Sequence, residues 1–349
     1  MLGREARKPT LRNRTLHQQS AAAILGIKGT REESPPPPGM AEARPLADPR
    51  AGIREKIRTL VSIAASNDSS ISTAELFLLL PSGAFSGADE LDSFVCHDPT
   101  LHGDLIVIGG EIAFRGSEEL ARRRMDQIRL SAGRLELARS FSDQLVKLCP
   151  WIRLAAISGS TAYAATKKRD DLDFFIVARR NRLWITLVVA MLTAKIGRTR
   201  NRDLPVFCFN RILEEGECAR VFGSPRDPLF AREALNLRIL GGSNYYREVL
   251  ISASWIDHLF PALFRQIVNS IDAPDAITSN ENGRFWSILN WAALAALAPY
   301  LTFAGLWRNN RLRRAGNFDA QFRTIIRRGF FAYESTKYDL LRETYRRAF

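Results

Sequence analysis

The apolar positions between residues 51 and 115 follow first a helical period and then a strand period. Ser72 and Glu75, three residues apart, form a capping-box pattern at the start of the second helix. Gly109 and Gly110 separate two short apolar runs and favour the positive φ angles of a tight hairpin turn. Three helices followed by a hairpin is the order of a winged helix, so we predict a winged-helix-like module over 51–115. The segments with helical spacing are 51–66, 70–80 and 87–98.

The third of these helices corresponds to the recognition helix of a winged helix, and its charges are acidic. Asp89, Glu90 and Asp92 would lie among DNA phosphates, where cations are needed. We therefore expect a structural or partner-binding role for this module and do not expect DNA as its partner.

Residues 117–148 have the composition of one long helix that joins two domains through a linking segment, 116–149. Ser117 is positioned to cap it, and Glu118 and Glu119 suit its positive end. Its arginines are expected to form a solvated face.

Residues 150–222 alternate short apolar runs with helical segments in a β-α-β-α-β order, which predicts a small α/β domain. The strands are expected around 152–158, 171–177 and 204–210, with a strongly apolar helix over 183–197 between the last two. We expect residues 223–349 to form a helical C-terminal region. The predicted fold class is therefore α+β.

Asp171 and Asp173 stand at the start of the second strand of this domain, two residues apart. Alternate side chains of a strand share a face, so both carboxylates can hold a hard cation such as Mg²⁺ together. Gly159 and Ser160 stand where the first strand turns into a helix, a place where the backbone can approach a phosphate. The four residues predict a site for a nucleoside triphosphate and its metal.

The Gly-Ser pair, the small residues after it and Asp-x-Asp on the next strand resemble the DNA polymerase β-type nucleotidyltransferase superfamily, and twelve residues separate Gly159 from Asp171. The chain over about 52–345 is also similar to uncharacterised prokaryotic nucleotidyltransferase-domain proteins. The resemblance implies a cytoplasmic Mg²⁺-dependent enzyme that moves a nucleoside monophosphate from an NTP, expected to be ATP, to an acceptor. It makes Asp171 and Asp173 catalytic metal ligands and Gly159 and Ser160 the nucleotide-binding residues.

The chain departs from the family pattern at two positions. Ala164 replaces a frequent glycine, and the third strand offers Asn210 where active members carry a third carboxylate. We name Asn210 as the third metal ligand, with Glu214, Glu215 or Glu217 as substitutes from the following loop. A neutral ligand leaves two alternatives open: a weak or inactive nucleotide-binding or partner-binding protein on the same fold, and a winged-helix DNA-binding regulator.

Residues 285–307 are apolar and long enough to span a bilayer, with Pro299 near the middle. A single crossing would separate the predicted catalytic domain from the arginine-rich tail, so we expect a buried or membrane-surface helix. The formal net charge of +13 suits a polyanionic partner or an anionic membrane surface. The four cysteines do not have zinc-site spacing.

The first 50 residues are basic and contain four consecutive prolines, which predicts a disordered leader. The sequence leaves open whether translation starts at Met1 or Met40.

Overall fold

The computed structural model describes residues 50–223, 226–271, 283–316 and 321–349. The leader predicted over 1–50 falls outside these ranges except for its last residue. Contacts within the chain divide it into two units, 1–54 and 55–349. Of the first unit, the structure describes only residues 50–54, which include the start of one helix. The α+β fold class is confirmed, because helices accompany two separate sheets.

Residues 51–114 form four helices and a three-stranded antiparallel sheet with strand order β1-β3-β2. The capping prediction is confirmed for Ser72, whose Oγ accepts a hydrogen bond from Glu75 N at 3.1 Å, whereas the Glu75 carboxylate pairs with Arg232. Gly109 and Gly110 have φ angles of 60° and 79°, as the hairpin requires. The elements are α1 (Ala51–Ser66), β1 (Ile71–Ser72), α2 (Thr73–Leu79), α3 (Ala88–His97), α4 (Pro99–Asp104), β2 (Leu105–Ile108) and β3 (Glu111–Phe114).

The long helix predicted over 117–148 is interrupted near its start. It forms α5 (Glu118–Arg122) and α6 (Arg124–Leu148), and the Ser117 side chain makes no capping hydrogen bond. Arg124 and Arg134 are buried, so the prediction of a solvated arginine face is wrong for these two residues.

The rest of the described chain contains a six-stranded mixed sheet with strand order β7-β4-β5-β6-β9-β8, together with helices. Its central strands occur in the predicted order, with β4 antiparallel and β6 parallel to β5. These elements are β4 (Ile152–Ser158), α7 (Gly159–Ala162), β5 (Leu172–Ala178), α8 (Leu183–Arg200) and β6 (Phe207–Glu214).

The C-terminal region is not helical throughout, contrary to the prediction. Strand β7 (Arg238–Gly241) pairs with β4, and the hairpin of β8 (Phe322–Arg327) and β9 (Phe330–Ser335) pairs with β6. These segments become strands because they pair with strands that are distant in sequence. The local pattern of apolar residues does not reveal such pairing. The helices are α9 (Glu215–Gly223), α10 (Pro228–Leu235), α11 (Ser243–Ser252), α12 (Trp255–Leu259), α13 (Pro261–Asn269), α14 (Arg284–Arg314) and α15 (Lys337–Ala348).

Helices α6, α8 and α14 contribute to one apolar core with the strands of the larger sheet. Asn290 links α14 to α8, because its Oδ1 accepts hydrogen bonds from Trp184 N at 2.8 Å and Ile185 N at 3.2 Å. The side chain thereby satisfies N–H groups at the start of α8 that no helical carbonyl can reach.

Candidate functional site

The predicted site residues meet where β4 ends and where β5 and β6 begin. Ser158 pairs with Asp173 across β4 and β5, and Asp173 pairs with Cys208 across β5 and β6. Gly159 follows directly, with a φ of 67°. A side chain at Gly159 would collide with the Asp173 carboxylate, so glycine is required both by the backbone angle and by the space.

The pKa of the Asp173 carboxyl is strongly perturbed at this junction. Burial, and secondarily the neighbouring Asp171 carboxylate, raise its pKa to about 7. The hydrogen bond from Asn210 Nδ2 to Asp173 Oδ1, 2.5 Å long, opposes that rise. The Asn210 amide oxygen accepts from Cys208 Sγ at 2.8 Å. Asn210 therefore lies beside Asp173 as predicted, but its amide group donates to the carboxylate.

Burial also raises the pKa of Asp171, and the Arg308 guanidinium counteracts the shift. Arg308 belongs to α14, more than a hundred residues away in sequence, so no local pattern links it to the carboxylates. Its guanidinium stacks over the Phe322 ring at 3.8 Å.

Ser160, predicted to bind phosphate, makes a hydrogen bond within the protein. Its Oγ donates to Asp170 Oδ2 at 2.8 Å, and the same carboxylate oxygen accepts from Lys167 N at 2.9 Å. Asp170 was not singled out from the sequence, although it adjoins Asp171. It closes the loop between the Gly-Ser turn and β5.

Two buried arginines of α6 hold that loop in place. Arg124 donates to Ala164 O at 2.7 Å and to Tyr163 O at 3.1 Å. Arg134 donates to the carbonyl oxygens of Asp170, Lys168 and Lys167. The two guanidinium groups donate to carbonyls of the loop that follows the Gly-Ser turn, which fixes the backbone of that loop between Tyr163 and Asp170.

Ala164 has a φ of 52°, in the left-handed region that favours glycine. This is the position at which the resembling family often carries glycine. The Arg124 contact to its carbonyl oxygen helps to retain the strained angle.

A cavity of about 630 Å³ opens over these residues. Its wall includes Gly159, Ser160, Asp171, Asp173 and Asn210 and also residues that the sequence did not indicate. The added residues come from α2, α10, α14 and α15 and include Glu75, Arg232, Glu233, Arg308, Lys337 and Tyr338.

The cations of the cavity wall differ in their partners. Arg232 pairs with Glu75, and Lys167 pairs with Asp68. Within the described part of the chain, Arg308 and Lys337 have no carboxylate at ion-pair distance. These two positive groups can contact an anionic ligand without breaking an ion pair.

Glu233 is a further carboxylate in the wall. Its Oε1 accepts a hydrogen bond from Tyr163 Oη at 2.9 Å, and burial raises its pKa. Its charge contributes to the raised pKa of Asp173.

The glutamates considered as substitute third ligands lie away from this junction. Glu214 pairs with Ala178 at the far end of the two parallel strands from Asp173. Glu215 faces Arg153 at 3.7 Å, and Glu217 pairs with Arg220. None of the three lines the cavity in the described structure, so the speculation that they complete a metal shell is not supported.

Among the ranges that the structure describes, no three or more histidine, cysteine, aspartate or glutamate side chains form a group able to hold a metal ion. The oxygen donors at the junction are thus two neighbouring carboxylates and one amide. This set is too small for a cation held by the protein alone.

Comparison with known proteins gives no family assignment: no family model, no curated protein and no solved structure matches this chain.

Proposed function

We propose that the chain is a nucleotidyltransferase that uses a magnesium–nucleoside triphosphate complex. The observation that carries the proposal is the junction of three strand ends, at which Asp171, Asp173 and Gly159 line one cavity. The resemblance to polymerase β-type nucleotidyltransferases is part of the same proposal, as is a winged-helix-like role for 51–115.

The donor set fits a metal that arrives with its nucleotide. Magnesium is often held by one or two carboxylates while substrate phosphates and water complete its shell. Asp171 and Asp173 would be those carboxylates. Bound there, Mg²⁺ would neutralise charge on the transferring phosphate.

The neighbouring residues suit the rest of a triphosphate. Gly159 brings backbone close to Asp173 without a side chain in the way. Arg308 and Lys337 add positive charge in the cavity wall. Sites for phosphoryl transfer lower the activation barrier mainly with positive groups that are already in position where negative charge develops on the phosphate.

The reaction is a displacement at the α-phosphorus. An acceptor hydroxyl oxygen forms a bond to that phosphorus, and the bond to the oxygen bridging to the β-phosphate breaks. Pyrophosphate leaves with the electron pair, and the hydroxyl proton passes to solvent or to a carboxylate in the cavity.

The raised pKa values of Asp171 and Asp173 support this use of the site. Two carboxylates held close together in a partly buried place are costly without a cation, and such arrangements occur preferentially at functional sites. A second candidate follows from Asn210: because an amide stands where a third carboxylate is expected, the protein could bind the nucleotide and turn it over slowly or not at all.

The test is transfer of α-labelled ATP to the protein itself and to components of a cell lysate. We expect magnesium-dependent labelling that Asp171→Asn abolishes and that Asp126→Asn, an exposed change on α6, leaves intact. Nucleotide binding without any labelled product favours the binding protein, and equal labelling by the Asp171→Asn protein contradicts the enzyme.

A further inference from the structure

Helix α14 exposes large apolar side chains along its whole length. Its outward residues recur at helical spacing over 285–307, a face about 33 Å long at 1.5 Å per residue. Six of these side chains are between 49% and 70% exposed: Phe285, Ile288, Trp291, Phe303, Leu306 and Trp307.

The opposite face of α14 is bound to the rest of the protein from end to end. Asn290 caps α8, and Leu301 is buried in the main core. A Cβ at Gly305 would collide with Thr324 Oγ1, and Asn309 exchanges two hydrogen bonds with the backbone of Phe322.

The helix is 31 residues long and contains an 18-residue window with a mean hydropathy of 1.4, which by length and composition would allow it to cross a membrane. Crossing would withdraw Asn290 and Asn309 from their backbone partners and leave those polar groups unpaired. A position on the surface of a membrane keeps every one of these contacts.

The charged residues of α14 are all positive. Between Arg284 and Arg314 the helix contains no aspartate or glutamate. Arg313 and Arg314 continue the face, seven residues after Leu306 and Trp307. Helix α8 starts beside the start of α14 and ends in Arg198 and Arg200, again without an acidic residue. Arg198 of α8 and Arg308 of α14 both act electrostatically on Asp171.

This charge pattern selects among possible occupants of the face. A second copy of the chain would bring the same arginines and no helix carboxylate to pair with them. An anionic lipid surface supplies the negative charge, and tryptophans at the edges of an apolar face suit the headgroup region.

We propose that the outward face of α14 docks on an anionic membrane surface, with the helix lying in the plane of the interface. Arg308 follows Trp307 directly and lines the cavity that contains Asp171. Docking therefore brings the candidate site beside the lipid surface. A further step rests on the proposed function: the acceptor hydroxyl belongs to a molecule held at the membrane.

The docking test is sedimentation of the full chain with vesicles of phosphatidylcholine, alone or containing about one third phosphatidylserine. We expect binding to the anionic vesicles that weakens with salt. The variant Phe303→Glu/Leu306→Glu should lose about tenfold or more in affinity, and Arg313→Gln/Arg314→Gln should lose binding to anionic vesicles in the same way.

The matched control is Met125→Glu/Leu137→Glu, which adds the same charge at exposed apolar residues of α6, and it should bind vesicles as the wild type does. Absence of wild-type binding, or equal binding by the α14 variant, overturns the docking proposal. A dimer that the α14 variant dissociates, without lipid binding, also overturns it and makes the face an interface between copies.

The acceptor is tested separately with α-labelled ATP added to the membrane and soluble fractions of a lysate. Label in a membrane-borne product supports the proposed class, and label confined to soluble products contradicts it. Vesicle binding needs no nucleotide. A protein that docks but transfers nothing therefore refutes the function alone, whereas one that transfers but does not dock refutes the docking alone.

Discussion

Asn210 Nδ2 donates a hydrogen bond to Asp173 Oδ1 at 2.5 Å, across two parallel strands. The amide supports a buried carboxylate at the position where the proposed function would call for a third carboxylate. The substitution Asn210→Asp converts that support into repulsion when no cation is present. We expect the metal-free variant to lose about 1–3 kcal/mol of stability at pH 8.

The same substitution adds a charged oxygen donor, so affinity for magnesium–ATP should rise by about tenfold. Thermal unfolding in EDTA and calorimetric titration measure the two effects. Asn210→Ala is the control, because it removes the hydrogen bond without adding charge and should weaken both stability and binding. Unchanged or weaker magnesium–ATP binding by Asn210→Asp would show that this residue does not adjoin the metal.

Asp173 should make the metal-free protein less stable as pH rises. Its pKa in the folded protein, about 7, lies above the ordinary value of 3.8. Folding thus favours the protonated form, and stability from this group is present below about pH 4 and is lost progressively up to about pH 7. Asp173→Asn should therefore raise the unfolding free energy by a few kcal/mol at pH 8 and leave it nearly unchanged at pH 4.

The measurement is denaturant unfolding in EDTA at both pH values, comparing variant with wild type at each pH so that other titrating groups cancel. An equal effect of the substitution at pH 4 and pH 8 would be inconsistent with the raised pKa.

Arg134 should stabilise the loop that leads into Asp171. The residue is 7% exposed, and its guanidinium donates to three carbonyls of that loop, those of Lys167, Lys168 and Asp170. Arg134→Met keeps about the same side-chain length and removes the guanidinium donor from the carbonyls of Lys168 and Asp170, at a cost of about 2–4 kcal/mol. Hydrogen exchange over 166–171 should accelerate, whereas Arg139→Met, an exposed change on the same helix, should alter stability by less than about 0.5 kcal/mol. Equal effects of the two substitutions would refute this role.

Ala164→Gly should stabilise the protein by about 0.5–1 kcal/mol, because the φ of 52° costs alanine more than glycine. Ala165→Gly is the matched control: that residue is buried and lacks a positive φ, so glycine should destabilise there by about 0.4–1 kcal/mol. Thermal unfolding distinguishes them, and a loss of stability in Ala164→Gly would contradict the strain.

The sequence predicted the parts of this site that are local. Asp173 in β5 and Asp171 directly before it follow from the Asp-x-Asp spacing at a strand start, and Gly159 follows from the need for a turn without a side chain. The partners from distant segments could not be predicted, because nothing in the sequence around Arg308, Glu233 or Tyr338 indicates that these residues lie near β5. The sheet brings them together.

The same distinction holds for the fold. The hairpin at Gly109-Gly110 and the cap at Ser72 depend on backbone angles and side chains within a few residues. The strands β7, β8 and β9 depend on open edges of β4 and β6, so a basic segment predicted as helix joins the sheet instead. Arg124 and Arg134 were expected in solvent because their carbonyl partners lie some 30 to 40 residues further along the chain.

The central claim is that Asp171 and Asp173 together bind a magnesium–nucleotide complex, and calorimetric titration of the full chain with ATP at pH 8 tests it most directly. We predict binding that requires Mg²⁺ and whose affinity falls by about thirtyfold or more in Asp171→Asn/Asp173→Asn. The control variant Asp126→Asn/Asp143→Asn removes two carboxylates from α6 away from the cavity. It should bind magnesium–ATP as the wild type does. Magnesium–ATP binding of wild-type strength in the Asp171→Asn/Asp173→Asn protein would contradict the account.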